Sequence, residues 1–241
     1  MQFAAVMRTW EITTLIIGEV LLTLAAFSAI IALIVFFIRK PIRKHKPFDM
    51  LIFDKIKPSV NTVNNKIMLF ITFLGKHQFL IPANLILIFY FLVVKKQTWF
   101  SIRVITIAIS SLVLMLLLKQ LFQRKRPLSP LLKAAKGLSF PSGHAIMAVT
   151  FYGLIIYILF HLEINRELKY FLTAVLVLLI LLIGFSRVYL RVHYASDVLA
   201  GFVIGLLWLF ISLTVLGRIE NYLSKKGSAI LTAMEFTPAY K

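Results

Sequence analysis

The sequence predicts an all-helical protein that crosses a membrane several times. Of its 241 residues, 60% are hydrophobic and 15% are charged, whereas about a quarter are charged in an ordinary soluble domain. The apolar residues form uninterrupted runs of about 18 residues or more, the length that a helix needs to cross the roughly 30 Å core of a bilayer. The alternating pattern of a membrane β-barrel is absent, and helices satisfy their own backbone groups in lipid.

Six apolar runs are predicted as transmembrane helices. The first is longer than the core of a signal peptide, which has about 7–15 residues, so we interpret it as an uncleaved anchor. Polar residues at 75–78 interrupt the second run and predict that its crossing begins near Phe79. The six approximate ranges are 12–37, 67–94, 102–121, 142–160, 171–185 and 196–216.

The segments between these runs complete a single-domain layout. A basic segment at 39–46 follows the first span, and the mixed stretch at 48–57 predicts an amphipathic helix in the membrane interface. The sequence has no internal repeat, so residues 1–241 are predicted to form one domain. Its core covers about 67–216, and the polar tail at 217–241 is expected to be partly loose.

Composition limits the classes of function. The chain has no cysteine, so it offers neither a disulfide framework nor a thiolate metal site. Its formal net charge of +18 fits topology-setting cations at the ends of spans, or attraction to anionic lipid head groups and phosphates. Nucleic-acid binding is disfavoured, because the cations are scattered between apolar spans.

The first of three polar clusters lies at the end of the third run and consists of Lys119, Arg126 and Pro127. On a helix, Lys119 and Arg126 would project from one face two turns apart, and Pro127 is expected to end that helix. The pair could bind an anion at the membrane surface. It could equally belong to a stop-transfer cluster of basic residues, which is common at the ends of spans.

The second cluster, Pro-Ser-Gly-His at 141–144, opens the fourth run. Backbone N–H groups at a helix start have no intrahelical partner and lie at the positive end of the dipole, which favours an anion. Ser142 can donate to a phosphate oxygen, and Gly143 lets the backbone approach that oxygen closely. The alternative is an ordinary serine N-cap followed by a hydrogen-bonded structural histidine, His144.

The third cluster contains Arg187, His193 and Asp197. Asp197 follows His193 by four residues, so its carboxylate can accept a hydrogen bond from one imidazole nitrogen. The other nitrogen then remains free for nucleophilic or base chemistry. Arg187 can direct two N–H groups at phosphate oxygens. The alternative is a structural ion pair of Asp197 with Arg187 or Arg191.

The three clusters lie on the same side of the membrane when the spans are counted. Two imidazoles, a carboxylate and three cations at one surface fit phosphoryl transfer, which depends mostly on positioning and electrostatic stabilisation. The sequence has no carboxylate cluster suited to a metal ion, so we expect neither a metal nor another cofactor.

Together the clusters resemble the tripartite signature of the type-2 phosphatidic acid phosphatase family: K-x6-RP, PSGH and SR-x5-H-x3-D. The sequence matches every position of that signature. The resemblance implies a metal-independent phosphohydrolase in which His193 is the nucleophile and forms a phosphohistidine. It also implies that Asp197 orients His193, while His144 is the general acid and then the general base. The residues implied to hold the phosphate are Lys119, Arg126, Ser142, Gly143 and Arg187.

The layout is similar to the bacterial branch of that family. This similarity implies a lipid phosphate or diphosphate substrate: undecaprenyl diphosphate, phosphatidylglycerophosphate or phosphatidic acid. A lipid A phosphatase is the alternative. The implied location is the bacterial cytoplasmic (inner) membrane, with the active site facing the periplasm. A plain count of Lys and Arg opposes this orientation, but several of those cations are expected ligands of the phosphate, so we follow the resemblance.

An anion channel or transporter and an inactive binding homologue are the two alternatives to a phosphatase. An anion channel or transporter would place charges or broken helices near the middle of the membrane, where Pro82 and Asn84 are the only weak hint. An inactive binding homologue is disfavoured by the complete set of His144, His193 and Asp197. The expected partners are therefore the lipid bilayer and a lipid phosphate, without nucleic acid. The sequence leaves the oligomeric state open.

Overall fold

Seven α-helices make up most of the chain that the structure, a computed structural model, describes: residues 46–127, 131 and 137–235. Those residues contain no β-strand, so the prediction of an all-helical fold is confirmed. A 3₁₀ turn (Lys57–Ser59) follows the first helix and a π-helical turn (Tyr90–Val94) extends the third. The helices are α1 (Lys46–Ile56), α2 (Thr62–Phe73), α3 (His77–Phe89), α4 (Thr98–Phe122), α5 (Gly143–His161), α6 (Arg166–Tyr189) and α7 (Ala195–Glu235).

Five segments of the described chain are long and apolar enough to cross a membrane. They are Thr62–Val94, Thr98–Phe122, Gly143–His161, Arg166–Tyr189 and Ala195–Ser224. These segments correspond to the second to sixth predicted spans and confirm a polytopic membrane protein. The first predicted span, 12–37, and residues 39–45 of the basic segment lie outside the described residues.

Helix α5 lies at the centre of the bundle and packs against α4, α6 and α7. Two glycines of α7 permit the close approach of that helix. A Cβ at Gly201 would lie 2.8 Å from the Ala145 Cβ and 3.0 Å from the backbone oxygen of Ser142. A Cβ at Gly205 would lie 2.9 Å from the Val149 Cβ. Because small residues one turn apart let membrane helices meet along their backbones, the start of α5 is held beside the start of α7.

The polar break predicted at 75–78 separates α2 from α3. Helix α2 ends at Phe73, and Lys76 is the N-cap of α3. Gly75 lies in the break, where a Cβ would lie 2.6 Å from the Ile183 side chain and 3.2 Å from the His144 ring. The break therefore brings a short piece of backbone against α5 and α6, next to the second polar cluster.

Helix α1 is the amphipathic helix predicted at 48–57. Asp49 and Phe53, one turn apart, are buried, whereas Met50 and Leu51 are 55% and 52% exposed. Phe53 packs in an apolar cluster with residues that flank the third polar cluster, Val188 among them. Helix α1 therefore covers the loop between α6 and α7, and it buries an acidic side chain there.

Helix α7 is longer than the sixth predicted span and continues to Glu235. The helix thus includes residues 217–235 of the predicted tail, and the rest of that tail lies outside the described residues. Residues 217–235 contain no proline and many residues that favour helix. It is also anchored by an ion pair between Arg103 of α4 and Glu220.

Candidate active site

A cavity of about 250 Å³ lies where α4 ends and α5 begins. Its wall contains residues from all three polar clusters, which therefore meet at one end of the bundle. The cluster residues in the wall are Lys119, Arg126, Gly143, His144, Arg187 and His193. The remaining wall residues are Gly75, His77, Leu80, Leu112, Met115 and Met147.

A larger cavity of about 540 Å³ surrounds Arg103 and Glu220 near the other end of α4. It contains no residue of the three clusters, and its buried arginine is already paired with Glu220. The chemistry of the side chains therefore assigns the functional site to the smaller cavity, although size alone would favour the larger one.

Asp197 supports His193 from outside the cavity wall. Its Oδ2 lies 3.6 Å from Nδ1 of His193, and both side chains are buried. The same oxygen accepts hydrogen bonds from Ser139 Oγ at 2.5 Å and from the backbone N–H of Tyr194 at 3.0 Å. Ser139 Oγ is also 3.5 Å from His193 Nδ1. These acceptors favour a ring proton on Nδ1, so that Nε2 is the unprotonated nitrogen.

The start of α7 explains how a four-residue spacing joins these two residues, although His193 precedes the helix. Asp197 lies in the first turn of α7, and its carboxylate turns back to the N–H of Tyr194, as the acidic residue of a capping box does. The backbone N–H of His193 bonds to the carbonyl of Arg187 at 3.3 Å. A tight capped turn, rather than one continuous helix, therefore produces the predicted juxtaposition.

The unprotonated nitrogen of His193 lies beside Arg126, a cation of the first cluster. Nε2 is 3.4 Å from Nη1 of Arg126. Burial lowers the pKa of His193 to about 4; the nearby carboxylate of Asp197 opposes this shift, and the cations Arg187 and Arg126 add to it. The imidazole is therefore neutral near pH 7, the state in which it can act as a nucleophile.

His144, the second residue of α5, shares the cavity wall with His193. Its Nε2 atom is buried and has no hydrogen-bond partner among the described residues. Buried polar groups in native proteins are nearly always paired, and the exceptions often have a functional reason. The alternative of a structural histidine that is fully hydrogen-bonded is therefore not supported at Nε2.

Ser142 and Gly143 differ in how they approach the cavity. Ser142 is the N-cap of α5, but its hydroxyl makes no capping bond and has no partner within the part of the chain that the structure describes. Its backbone N–H donates to the carbonyl of Asp197 at 3.1 Å, which ties the second cluster to the third. Gly143 lines the cavity, whereas Ser142 lies beside it. A Cβ at Gly143 would overlap the sulfur of Met115.

The three expected phosphate-binding cations reach the cavity from different elements. Lys119 Nζ donates to the carbonyl of Leu138 at 2.8 Å. Arg126 donates from Nη1 and from Nε to two loop carbonyls, at 2.9 and 3.1 Å. Arg187 Nη1 donates to Thr72 Oγ1 at 2.7 Å, and its Nε is buried without a partner among the described residues. Each cation is thus oriented by hydrogen bonds to protein oxygens, and it keeps further N–H groups that can bind a ligand.

The structure corrects the way in which the first cluster is built. Helix α4 ends at Phe122, and Gln123 is left-handed with a φ of 48°, its N–H bonding to the carbonyl of Lys119. Arg126 therefore lies on the following loop and does not share a helical face with Lys119. The left-handed cap ends the helix, four residues before Pro127.

Arg124 is the main residue of the site that the sequence did not single out. The sequence pattern places it among stop-transfer cations, yet its side chain is only 13% exposed and pairs with Asp197 and with Asp49. Among the described residues, the ion pair of Asp197 is thus with Arg124 and not with Arg187 or Arg191. The available signal was weak: Asp49 lies one turn before Phe53, among the apolar residues of a helix that also carries Asp54 and two lysines.

The acidic side chains of the site pair with cations and hydroxyl groups. Within residues 46–127, 131 and 137–235, no three His, Asp or Glu side chains are grouped so that they could hold a metal ion. Positive charge at the cavity comes from Lys119, Arg126 and Arg187.

Sequence comparisons identify several relatives of this chain. The family model described as the PAP2 superfamily matches residues 100–220. Phosphatidylglycerophosphatase B of Bacillus subtilis (strain 168) is 34% identical over 151 residues, which are 61% of this chain and 72% of that protein. Lipid phosphate phosphatase delta of Arabidopsis thaliana is 35% identical over 100 residues, 40% of this chain and 24% of that protein.

Two crystal structures share the fold. The transmembrane PAP2-type phosphatidylglycerolphosphate phosphatase from Bacillus subtilis aligns with a TM-score of 0.65 and 29% identity, over 83% of this chain and 96% of that one. Aquifex aeolicus LpxE aligns with a TM-score of 0.53 and 27% identity, over 68% and 94% of the two chains. The chain therefore belongs to the PAP2 superfamily, the type-2 phosphatidic acid phosphatases, and is an integral-membrane lipid phosphatase.

Proposed function

We propose that the protein removes phosphate from a membrane lipid through a phosphohistidine intermediate and without a metal ion. One observation carries this proposal: His193 and His144 line a single cavity together with Lys119, Arg126 and Arg187. Such a reaction needs one imidazole to attack phosphorus and a second to handle the proton. It also needs fixed positive charge around the phosphoryl oxygens.

In the first step, Nε2 of His193 attacks the phosphorus atom, and the bond from phosphorus to the leaving oxygen breaks. His144 gives its proton to that oxygen, so the lipid leaves as an alcohol or, from a diphosphate, as a monophosphate. Asp197, 3.6 Å from Nδ1, balances the positive charge that develops on the phosphorylated ring. The negative charge of the bound phosphate favours the protonated form of His144 that this step requires.

In the second step, His144 is neutral and accepts a proton from water as the water oxygen attacks phosphorus. The nitrogen–phosphorus bond breaks, and its electron pair returns to Nε2 of His193. Inorganic phosphate is released, and both imidazoles regain their initial protonation states. One water molecule is consumed for each phosphate group that leaves the lipid.

The phosphate oxygens are held by groups that already surround the cavity. Lys119, Arg126 and Arg187 neutralise the charge that spreads over these oxygens in the transition state. The N–H of Gly143, at the start of α5, adds a backbone donor at the positive end of a helix. The hydroxyl of Ser142, which is buried and unpartnered among the described residues, supplies a further donor next to the cavity.

Phosphatidylglycerophosphate is the substrate that we place first. The supporting observations are the 34% identity to phosphatidylglycerophosphatase B over 72% of that protein and the TM-score of 0.65 to a phosphatidylglycerolphosphate phosphatase. Undecaprenyl diphosphate and phosphatidic acid also present a terminal phosphate group on a lipid anchor. The likeness to LpxE, with a TM-score of 0.53, favours lipid A phosphate as the alternative.

The protein is proposed to lie in the bacterial cytoplasmic (inner) membrane, with its active site on the periplasmic side. The three clusters meet at one end of the bundle, where we expect the lipid head groups to lie. A reporter protein fused after Lys241 tests the orientation. A reporter in the cytoplasm supports a periplasmic site, and a reporter outside the cell contradicts it.

Phosphate release by the detergent-purified full chain tests the proposed reaction. Phosphatidylglycerophosphate, phosphatidic acid, undecaprenyl diphosphate and lipid A phosphate are supplied in parallel, with and without EDTA. We expect release from at least the first substrate and no loss in EDTA, whereas a strict Mg²⁺ requirement would contradict the assigned cations. Brief exposure to labelled substrate should leave an acid-labile, base-stable phosphate on the protein, the behaviour of a phosphorus–nitrogen bond.

A further inference from the structure

We infer that Arg124 and Asp49 are positioning residues for the catalytic Asp197, so that helix α1 is part of the active site. This inference rests on the proposed roles of His193 and Asp197. It concerns two residues that lie outside the signature positions and outside the cavity wall.

The guanidinium of Arg124 bridges two buried carboxylates. Its Nη1 donates to Asp197 Oδ1 at 2.6 Å, and its Nη2 donates to Asp49 Oδ2 at 2.8 Å. Both acids are fully buried, with 0% exposure. A planar fork with fixed N–H directions suits this task, which a lysine ammonium cannot perform in the same way. Arg124 therefore joins residues that are 75 and 73 positions away in the sequence.

Asp49 holds the other end of this bridge against the start of α7. Its Oδ1 accepts from the backbone N–H of Ser196 at 2.9 Å, and its Oδ2 accepts from the Ser196 hydroxyl at 2.8 Å. Ser196 immediately precedes Asp197 in the first turn of α7. Asp49 thus supplies, from another helix, an acceptor for an N–H group that α7 leaves unsatisfied. The ring of Tyr194 lies 4.2 Å from the Arg124 guanidinium and completes its surroundings.

The network gives the two oxygens of Asp197 different roles. Arg124 occupies Oδ1, while Oδ2 faces Ser139, the N–H of Tyr194 and Nδ1 of His193. Without Arg124, this buried carboxylate loses the contact at Oδ1 that helps to fix its rotation, and Asp49 loses its cation. The effect then reaches His193 through the orientation of its imidazole, which is the property on which attack at phosphorus depends.

The test compares the full chain with Arg124→Met, Asp49→Asn and the double variant. Matched controls are Lys125→Met and Asp54→Asn, which change exposed neighbours on the same two segments. On the lipid phosphate that the wild type hydrolyses, we expect each test variant to lose about tenfold to a hundredfold in kcat, the size of a charged hydrogen bond. KM should stay within about twofold, because neither residue is in the cavity wall, and the controls should match the wild type.

Three further outcomes decide between positioning and a merely structural role. Because the two residues act as one unit, the kcat of the double variant should be about the same as that of the slower single variant. Arg124→Lys keeps the positive charge but lacks the planar guanidinium. Relative to Arg124→Met, it should restore the melting temperature more fully than it restores kcat. A lowered melting temperature with unchanged kcat in Arg124→Met would overturn the inference, as would variants that match their controls.

A measurement without turnover separates this inference from the proposed function. Nitrogen NMR of the histidines in the detergent-solubilised chain should show His193 protonated at Nδ1 in the wild type and in Lys125→Met. We expect a mixture of ring tautomers in Arg124→Met. An unchanged tautomer in that variant refutes the inference, whatever the activity of the wild type. Failure of the wild type to hydrolyse any lipid phosphate would instead contradict the proposed function.

Discussion

Nη1 of Arg126 lies 3.4 Å from Nε2 of His193, the nitrogen that faces away from Asp197. In the proposed reaction, a phosphate oxygen held by Arg126 would bring phosphorus next to the lone pair of Nε2. The same cation disfavours protonation of His193, together with burial of the ring. In the proposed mechanism, this one contact serves both the position of the substrate and the ionisation state of His193.

Replacement of His193, the proposed nucleophile, should stop the reaction. His193→Gln keeps a polar side chain of similar size, but it cannot form a phosphorus–nitrogen intermediate. We expect phosphate release to fall by at least about 10³-fold, as for other enzymes that lose a nucleophile. The melting temperature of the purified variant shows whether it is folded. Turnover at the wild-type rate would refute the role of His193.

His144→Gln should separate the two chemical steps. With a lipid phosphate, we expect kcat to fall by about 10²–10⁴-fold, the usual contribution of a general acid or base. With p-nitrophenyl phosphate, the leaving group needs no proton, so attack by His193 remains possible while water is poorly activated. A burst of nitrophenol and a trapped phosphoenzyme are then expected. The absence of any burst, with slow formation of the phosphoenzyme, would contradict the second role of His144.

Burial of His193 should make stability depend on pH. Its pKa is about 4 in the folded chain and 6.5 when unperturbed, so the unfolded chain takes up the proton first as the pH falls. The free energy of unfolding should therefore decrease between about pH 6.5 and pH 4 and level off below that range. The melting temperature of the wild type in detergent is compared with that of His193→Gln. An equally steep decline in the variant would exclude His193 as the source.

The space around Gly143 predicts a variant that can be rescued. A Cβ there overlaps the flexible side chain of Met115, which must move and thereby reshape the cavity. We expect Gly143→Ala to raise KM with little loss of stability, and Met115→Ala in the same chain to restore KM.

Gly201→Ala is the contrasting variant. Its Cβ would meet the Ala145 Cβ at 2.8 Å and the backbone oxygen of Ser142 at 3.0 Å, neither of which can rotate away. We expect a lower melting temperature that Met115→Ala does not restore. If Met115→Ala fails to rescue Gly143→Ala, steric pressure on Met115 is not the cause of its defect.

Hydropathy and short motifs in the sequence were sufficient to predict the helical fold, the second to sixth spans and a site made of three clusters. These properties are local, because the length of an apolar run and the spacing of His193 and Asp197 depend on neighbouring residues. The sequence was misleading at helix ends. Gln123 ends α4 before Arg126, and α7 continues past 217, because backbone capping and packing between helices decide those boundaries.

Only the tertiary structure decided which groups support Asp197. Arg124, Asp49 and Ser139 lie 73, 148 and 58 positions from it (197 − 124, 197 − 49 and 197 − 139), so no periodicity connects them. Their importance arises from burial: carboxylates removed from water require cations and hydroxyl groups close by. The partners that meet this requirement are chosen by how α1, α4 and α7 pack, which is a property of the folded bundle.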